Sequence, residues 1–229
     1  MNTTAVYIIP PFQFSKIQSM DITEKLKHED VIDLFLSLYF NLIENLNKPI
    51  NKFDLICVFY SVDKNFLTQE FQDLRIEYID FNNPNKVLDS FSEKYFSRYK
   101  NNIIIKSNLM GINSEEVDRL INLLNIDDET LLVSKDSRGE IILLGFNRYS
   151  DKIFNDLIKS KFKYDEFLYL LTPTTHFVQI GNEYLSINDL SDFKELYLDL
   201  SKKKSIEYCS QNMHERFTNL FIEYKDLLK

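Results

Sequence analysis

The sequence predicts an α/β fold: a mostly parallel central sheet with helices on both faces and a small antiparallel addition. Three observations carry this. Short, β-rich apolar runs recur along the chain, segments with helical spacing separate most of them, and the alternation changes character after Gly139. Strands separated by helices of this length join through right-handed crossovers, which builds a parallel sheet.

The elements follow in order. Ala5–Ile9 is an apolar first strand. In Asp30–Leu46 the residues Val31, Leu34, Phe35, Leu38, Leu42 and Leu46 recur at spacings of three and four, an amphipathic helix. Leu55–Tyr60 and Arg75–Ile79 read as strands, with helical patterns at Lys64–Phe71 and Val87–Tyr99. Asn102–Ile105 is the next strand. Asn113–Leu124 follows as a helix, where Asn113 caps the free amides and Glu116 completes a capping box. Ala5–Ile9, Leu55–Tyr60 and Ile103–Ile105 are near-continuous apolar runs, which suits neighbouring strands of a sheet covered on both faces.

Thr130–Val133 and Glu140–Leu144 lie too close for a crossover helix, so they form a hairpin or a pair reached through a loop. Helices are expected at Asp151–Ile158 and Tyr164–Leu171. A strand pair, His176–Ile180 and Tyr184–Ile187, turns at Gly181-Asn182. Leu190–Leu200 and Ser210–Leu228 close the chain as helices. The stripe Met213, Phe217, Leu220, Phe221 and Tyr224 is expected to pack on the domain.

At 229 residues the chain suits one domain with a sizeable core. No window approaches the roughly 18 apolar residues of a membrane span, and Thr4–Pro11 is too short for export. The expectation is a soluble, cytoplasmic protein with no membrane partner. Cys57 and Cys209 have no metal-ligand or disulfide-framework spacing. A net charge of −8 argues against nucleic acid as a partner, and the Lys202–Lys204 run reads as solvated surface.

The segment Ile103–Phe146 carries a resemblance. Lys106-Ser107-Asn108-Leu109-Met110-Gly111-Ile112 is similar to a motif close to G-S-D-S-P-G-L. Ser134-Lys135-Asp136-Ser137-Arg138-Gly139-Glu140-Ile141-Ile142-Leu143-Leu144-Gly145 is similar to G-P-A-x-D-G-G-Y-Y-L-L-G, and Ile187-Asn188-Asp189-Leu190-Ser191-Asp192-Phe193 to V-D-T-x-x-D-L. These motifs belong to a bacterial family of glycosyltransferase-A-like (GT-A-like) proteins in the nucleotide-diphospho-sugar transferase superfamily. The resemblance extends to Leu196 and ends by Leu200. It implies a single Rossmann-like GT-A domain over residues 1–200, with residues 201–229 a helical extension packed on it.

The resemblance also implies a nucleotide sugar or nucleoside diphosphate as ligand, with Mg²⁺ or Mn²⁺ held by carboxylates after the fourth strand to neutralise phosphate oxygens. Here the acidic positions are mostly replaced. Asn108 stands at the strand end and Asn188 at the first acidic position of the late motif, while Asp192 is retained. No metal ligand and no cofactor is therefore assigned. Asp192 is the candidate catalytic carboxylate, or a first-turn carboxylate serving its helix. Ser107, Asn108, Arg138, Gly139, Asn188 and Lys16 are the substrate-binding candidates. Arg138 either meets a phosphate in place of a metal or is a surface arginine, and Gly139 suits a turn that needs positive φ. His176 is a half-buried strand residue or a general base. A cleft bordered by Ile9–Phe12, Ser107–Asn108, Arg138 and Asn188 is expected at the carboxyl ends of the strands. Two functions stay open: a glycosyltransferase-like enzyme degenerate at its metal and diphosphate site, or a non-catalytic nucleotide-binding or protein-interaction module.

Overall fold

The computed structural model describes residues 3–19, 21–48, 50–66, 74–79, 95–173 and 175–228. The strands are β1 (Thr4–Ile9), β2 (Asp54–Tyr60), β3 (Ile76–Ile79), β4 (Asn101–Lys106), β5 (Leu109–Met110), β6 (Thr130–Lys135), β7 (Ile141–Phe146), β8 (Phe177–Ile180) and β9 (Leu185–Ser186). The helices are α1 (His28–Leu46), α2 (Ser114–Leu124), α3 (Asp151–Lys159), α4 (Tyr164–Leu171), α5 (Leu190–Leu200) and α6 (Gln211–Glu223). Among the described residues, seven strands form one sheet in the order β3-β2-β1-β4-β7-β6-β8, and β5 pairs with β9 in a second, small antiparallel sheet.

β1 pairs in parallel with both β2 and β4, as the apolar runs predict. Alternate residues of these strands bury against opposite layers. Val6, Ile8, Cys57, Phe59, Ile103 and Ile105 join a core with α1, α2, α5 and α6. Ala5, Tyr7, Ile56, Val58, Leu131 and Val133 join a second core with α3 and α4. Both faces are covered, so both sets of alternating positions are apolar. The strand order reverses between β1 and β4, and their carboxyl ends form the switch point where open α/β sheets bind ligands.

Tyr39 of α1 fixes its helix to this array. Its hydroxyl lies 3.0 Å from both the Ile8 and the Val58 carbonyl oxygens, bridging β1 and β2 from inside the core. The C-terminal stripe packs as expected, with Met213, Phe217, Leu220, Phe221 and Tyr224 in the core that α1 enters. The helix itself stops at Glu223 rather than Leu228, and the chain turns.

Several expectations are corrected. Thr130–Lys135 and Ile141–Phe146 are a true antiparallel hairpin, but His176–Ile180 and Tyr184–Ile187 do not pair with each other. β8 adds in parallel to β6, whereas β9 crosses to β5. Gly181 serves close approach rather than a hairpin: a Cβ there would meet Ser134 Oγ at 2.1 Å. Glu116 does not close a capping box, although Asn113 Oδ1 does accept from its backbone amide. The Glu116 carboxylate is drawn instead to the Arg119 guanidinium at 2.7 Å, Asn182 Nδ2 at 3.1 Å and the Tyr184 hydroxyl. The helical pattern Val87–Tyr99 does not reach its end, since Phe96–Arg98 is a single 3-10 turn and Tyr99 is extended. Its earlier residues lie outside the described ones. Likewise Ser61–Phe66 is a 3-10 segment where Lys64–Phe71 was expected as helix, and residues 67–71 lie outside.

Removing the Tyr39 hydroxyl leaves the ring in place and takes one donor from two buried carbonyls. Tyr39→Phe is expected to lower stability by about 1–2 kcal/mol, read as a lower urea midpoint with an unchanged slope.

Candidate functional site

Ser107 and Asn108 sit in the turn that ends β4. The Ser107 amide donates to the Ile9 carbonyl at 2.9 Å, so the carboxyl ends of β1 and β4 are tied together. Asn108 is 2% exposed. Its Nδ2 donates to the Ile187 carbonyl at 3.1 Å and to Asn188 Oδ1 at 3.0 Å, while its own carbonyl accepts from Ile187 N at 2.8 Å. These bonds fix the amide's orientation and aim Asn108 Oδ1 at no partner among the described residues. Asn188 Nδ2 donates onward to Ser186 Oγ at 2.8 Å, which itself donates to Asp136 Oδ2 at 2.6 Å.

Asp136 builds the β6–β7 turn. Its Oδ1 accepts from the Arg138 amide at 3.0 Å and the Glu140 amide at 2.8 Å, an Asx turn. Gly139 has φ +71° in that turn, the left-handed conformation that a side chain disfavours. The turn projects Arg138 toward α5. There Nη1 donates to Asp189 Oδ2 at 2.8 Å and Nη2 to Asp192 Oδ2.

Asp189 and Asp192 form the capping box of α5, each side chain accepting from the other's backbone amide. Asp192 also takes the Asn188 amide at 2.8 Å. Burial raises the Asp192 pKa, opposed by that amide and by Arg138. Its geometry is that of a helix-capping carboxylate whose Oδ2 accepts the cap amides and also orients Arg138.

The structure thus gathers Ser107, Asn108, Arg138, Gly139, Asn188 and Asp192 at the carboxyl end of β4, the middle strand of the sheet. Lys16 lies exposed on the 3-10 turn Phe14–Ser19 that follows β1. His176 precedes β8, an outer strand of the sheet, where burial and the charges of Arg148 and Lys152 depress its pKa. Three members of the cluster were not singled out in sequence. Asp136 and Ser186 act only through partners that folding supplies, and no local pattern betrays them. Asp189 carried a readable signal, because Asp-x-x-Asp before an apolar run is a capping signature.

The donor set does not fit a hard dication. The two strand-end amides bond to each other, the Asp136 oxygens are taken by two backbone amides and a hydroxyl, and Asp189 and Asp192 are engaged by the α5 cap and by Arg138. Mg²⁺ and Mn²⁺ sites rest on anionic oxygens free to coordinate. Among the described residues no group of three or more His, Cys, Asp or Glu gathers in metal-binding geometry.

The expected single cleft is divided. Ile9, Pro10 and Pro11 line a cavity of about 470 Å³ that lies between the sheet and α3, closed by Ile104, Leu144, Phe154 and Leu157. Among the described residues Lys106 and Glu140 are its charged lining residues, and Ser107, Asn108, Arg138 and Asn188 are not part of its wall. The turn that ends β4 explains the division: Lys106, the last strand residue, faces the α3 side, and Asn108, in the turn, bonds to the segment before α5.

No protein-family model matches the chain, and no curated protein sequence matches it. Solved structures do. One from Desulfovibrio desulfuricans G20, assigned as a nucleotide-diphospho-sugar transferase, superposes with a TM-score of 0.78 at 13% identity, over 100% of this chain and 97% of that one. A cytidylyltransferase from Leptospira borgpetersenii serovar Hardjo-bovis gives 0.55 at 11%, over 100% and 97%. A CMP:2-keto-3-deoxy-manno-octonic acid synthetase solved with CTP gives 0.52 at 8%, over 87% and 98%. The chain therefore has the fold of nucleotide-diphospho-sugar transferases and cytidylyltransferases.

The network separates its members by burial. Asp192→Ala removes the acceptor for two backbone amides and for Arg138, and is expected to cost about 1–2 kcal/mol. Arg138→Ala removes a half-exposed partner and is expected to cost less than about 1 kcal/mol. Urea denaturation of both variants tests the order. A larger loss in Arg138→Ala would mean that the guanidinium, not the cap, holds this edge.

Proposed function

We propose that this chain is a nucleotide-diphospho-sugar transferase-like protein of GT-A type whose metal and diphosphate site has degenerated. The seam of amides at the end of β4, with the retained carboxylate Asp192 engaged by the α5 cap and by Arg138, is the observation that carries this reading. Asn108 and Asn188 stand where the resemblance places carboxylates. Two formal charges are gone, and Arg138 adds one of the opposite sign.

In this reading a nucleotide or nucleoside diphosphate is held, if at all, without a divalent cation. Ser107 and Asn108 border it, with Asn108 Oδ1 accepting from a ligand hydroxyl or amine. Arg138 and, from the β1 side, Lys16 meet phosphate oxygens, Gly139 permits the turn that carries Arg138, and Asp192 positions Arg138 through the cap. The buried, unpartnered Asn108 Oδ1 at the switch point supports a nucleotide-binding module over a pure protein-interaction module. An active glycosyltransferase, using Arg138 as a fixed cation, is the second reading and rests on the same atom.

The test melts the wild type and the Asn108→Asp/Asn188→Asp double variant with UDP, GDP, CDP and ADP, each with and without Mn²⁺. A ligand at about 100 times its Kd adds about 2.7 kcal/mol, roughly 5–10 °C for a chain of this size. The wild type is expected to show no Mn²⁺-dependent rise, and the double variant to melt lower without metal because adjacent carboxylates repel. A Mn²⁺-dependent rise in the wild type would contradict the degenerate reading. A rise confined to the double variant would show that the pocket persists and that the amides silence it.

A further inference from the structure

We propose that the cavity between the sheet and α3 binds an amphipathic anion, with its apolar body inside and a single carboxylate or phosphate head at Lys106. The chamber's volume of about 470 Å³ falls among those of small-molecule sites, which are mostly apolar with a few placed polar groups. Its walls come from Ile9, Ile104, Leu144, Phe154 and Leu157, so the body it selects is apolar. Among the described residues, Lys106 and Glu140 are the charged groups on it, and of the two Lys106 attracts an anion.

Lys106 is held as a binding group is held. Its side chain is largely withdrawn from water, with the ammonium 5.2 Å from the Phe162 ring centre and 3.5 Å from Glu140 Oε2. Charge-assisted hydrogen bonds close to about 2.7–2.9 Å, so this pair is loosely engaged. The Glu140 side chain is 36% exposed and can turn to solvent as a ligand head takes its place. Burial depresses the Lys106 pKa, against the pull of Glu140 and Asp136. An anion in contact favours the charged ammonium and strengthens its own binding.

The backbone at Phe162 points the same way. Lys161 and Phe162 have φ of 52° and 61°, a left-handed pair without glycine. Bulky residues seldom adopt that conformation, and it persists where surrounding contacts impose it, often around ligands. Here the Phe162 carbonyl accepts from Ile141 N at 2.8 Å, and the ring is set over Lys106 as part of the chamber wall. This site does not depend on the reading of the amide seam, whose side chains lie outside the chamber.

The test titrates dodecanoate, dodecyl phosphate and dodecanol, each below its micelle concentration, into the wild type, Lys106→Met and Leu157→Trp, by calorimetry and melting temperature. In the wild type at least one of the two anions is expected to bind about tenfold or more tighter than the alcohol, and which one identifies the head. Lys106→Met should erase that preference while keeping dodecanol, and Leu157→Trp should weaken all three. Hexanoate in the wild type gives the same information without a variant, because the longer chain must bind tighter. Absence of saturable anion binding, equal binding of anions and alcohol, unchanged anion binding in Lys106→Met, or no gain from hexanoate to dodecanoate would each overturn the proposal.

Discussion

One buried amide holds the edge of this molecule where ligands would enter. Asn108 ends the central strand β4 and bonds through Nδ2 to both the Ile187 carbonyl and Asn188 Oδ1. That contact docks the segment before α5 onto the sheet. From there the chain of bonds runs through Ser186 to Asp136, which shapes the β6–β7 turn, and through the α5 cap to Arg138. Each later group depends on the one before it for its position. Buried amides stabilise a fold only when bonded, so replacing either partner disturbs the whole series. The same seam fills the carboxyl end of β4 with bonded amides instead of free anionic oxygens. Structure and electrostatics thus follow from one pair of side chains.

Much of the fold was legible because burial on both faces leaves a strong trace. Ala5–Ile9, Leu55–Tyr60 and Ile103–Ile105 read as apolar runs, and each alternates its residues between two cores. The readings that failed are those in which a distant partner outweighs a local pattern. Gly181-Asn182 looks like a hairpin turn, yet β8 is drawn to the open edge of β6 and β9 to β5. Glu116 has the spacing of a capping box, but a guanidinium and a phenol offer its carboxylate stronger bonds than a backbone amide does. No local pattern indicates that Tyr184 will reach α2.

The site divides the same way. Asn108, Asn188, Arg138 and Asp192 were singled out through resemblance to known motifs, and the structure brings all four together. Asp136 and Ser186 went unread because their roles exist only once β6, β7 and β9 meet. The apolar chamber beside Lys106 was equally invisible, since a cavity arises from how Phe154, Leu157 and Phe162 pack, not from which residues are present. The turn that ends β4 connects the two features. Lys106 serves one face and Asn108 the other, so one turn of chain borders both a polar seam and an apolar chamber.

The central claim, that the Asn108–Asn188 contact ties this edge together, is tested most directly by a double-mutant cycle. Asn108→Ala, Asn188→Ala and the double variant would be compared by urea denaturation. Residues that bond each other within one network couple by about 0.5–3 kcal/mol. The account predicts that the double variant loses less than the sum of the single losses, by about 0.5–1.5 kcal/mol. Losses that add to within about 0.3 kcal/mol would show that the two amides act independently, and the seam would then not be what holds the carboxyl end of β4.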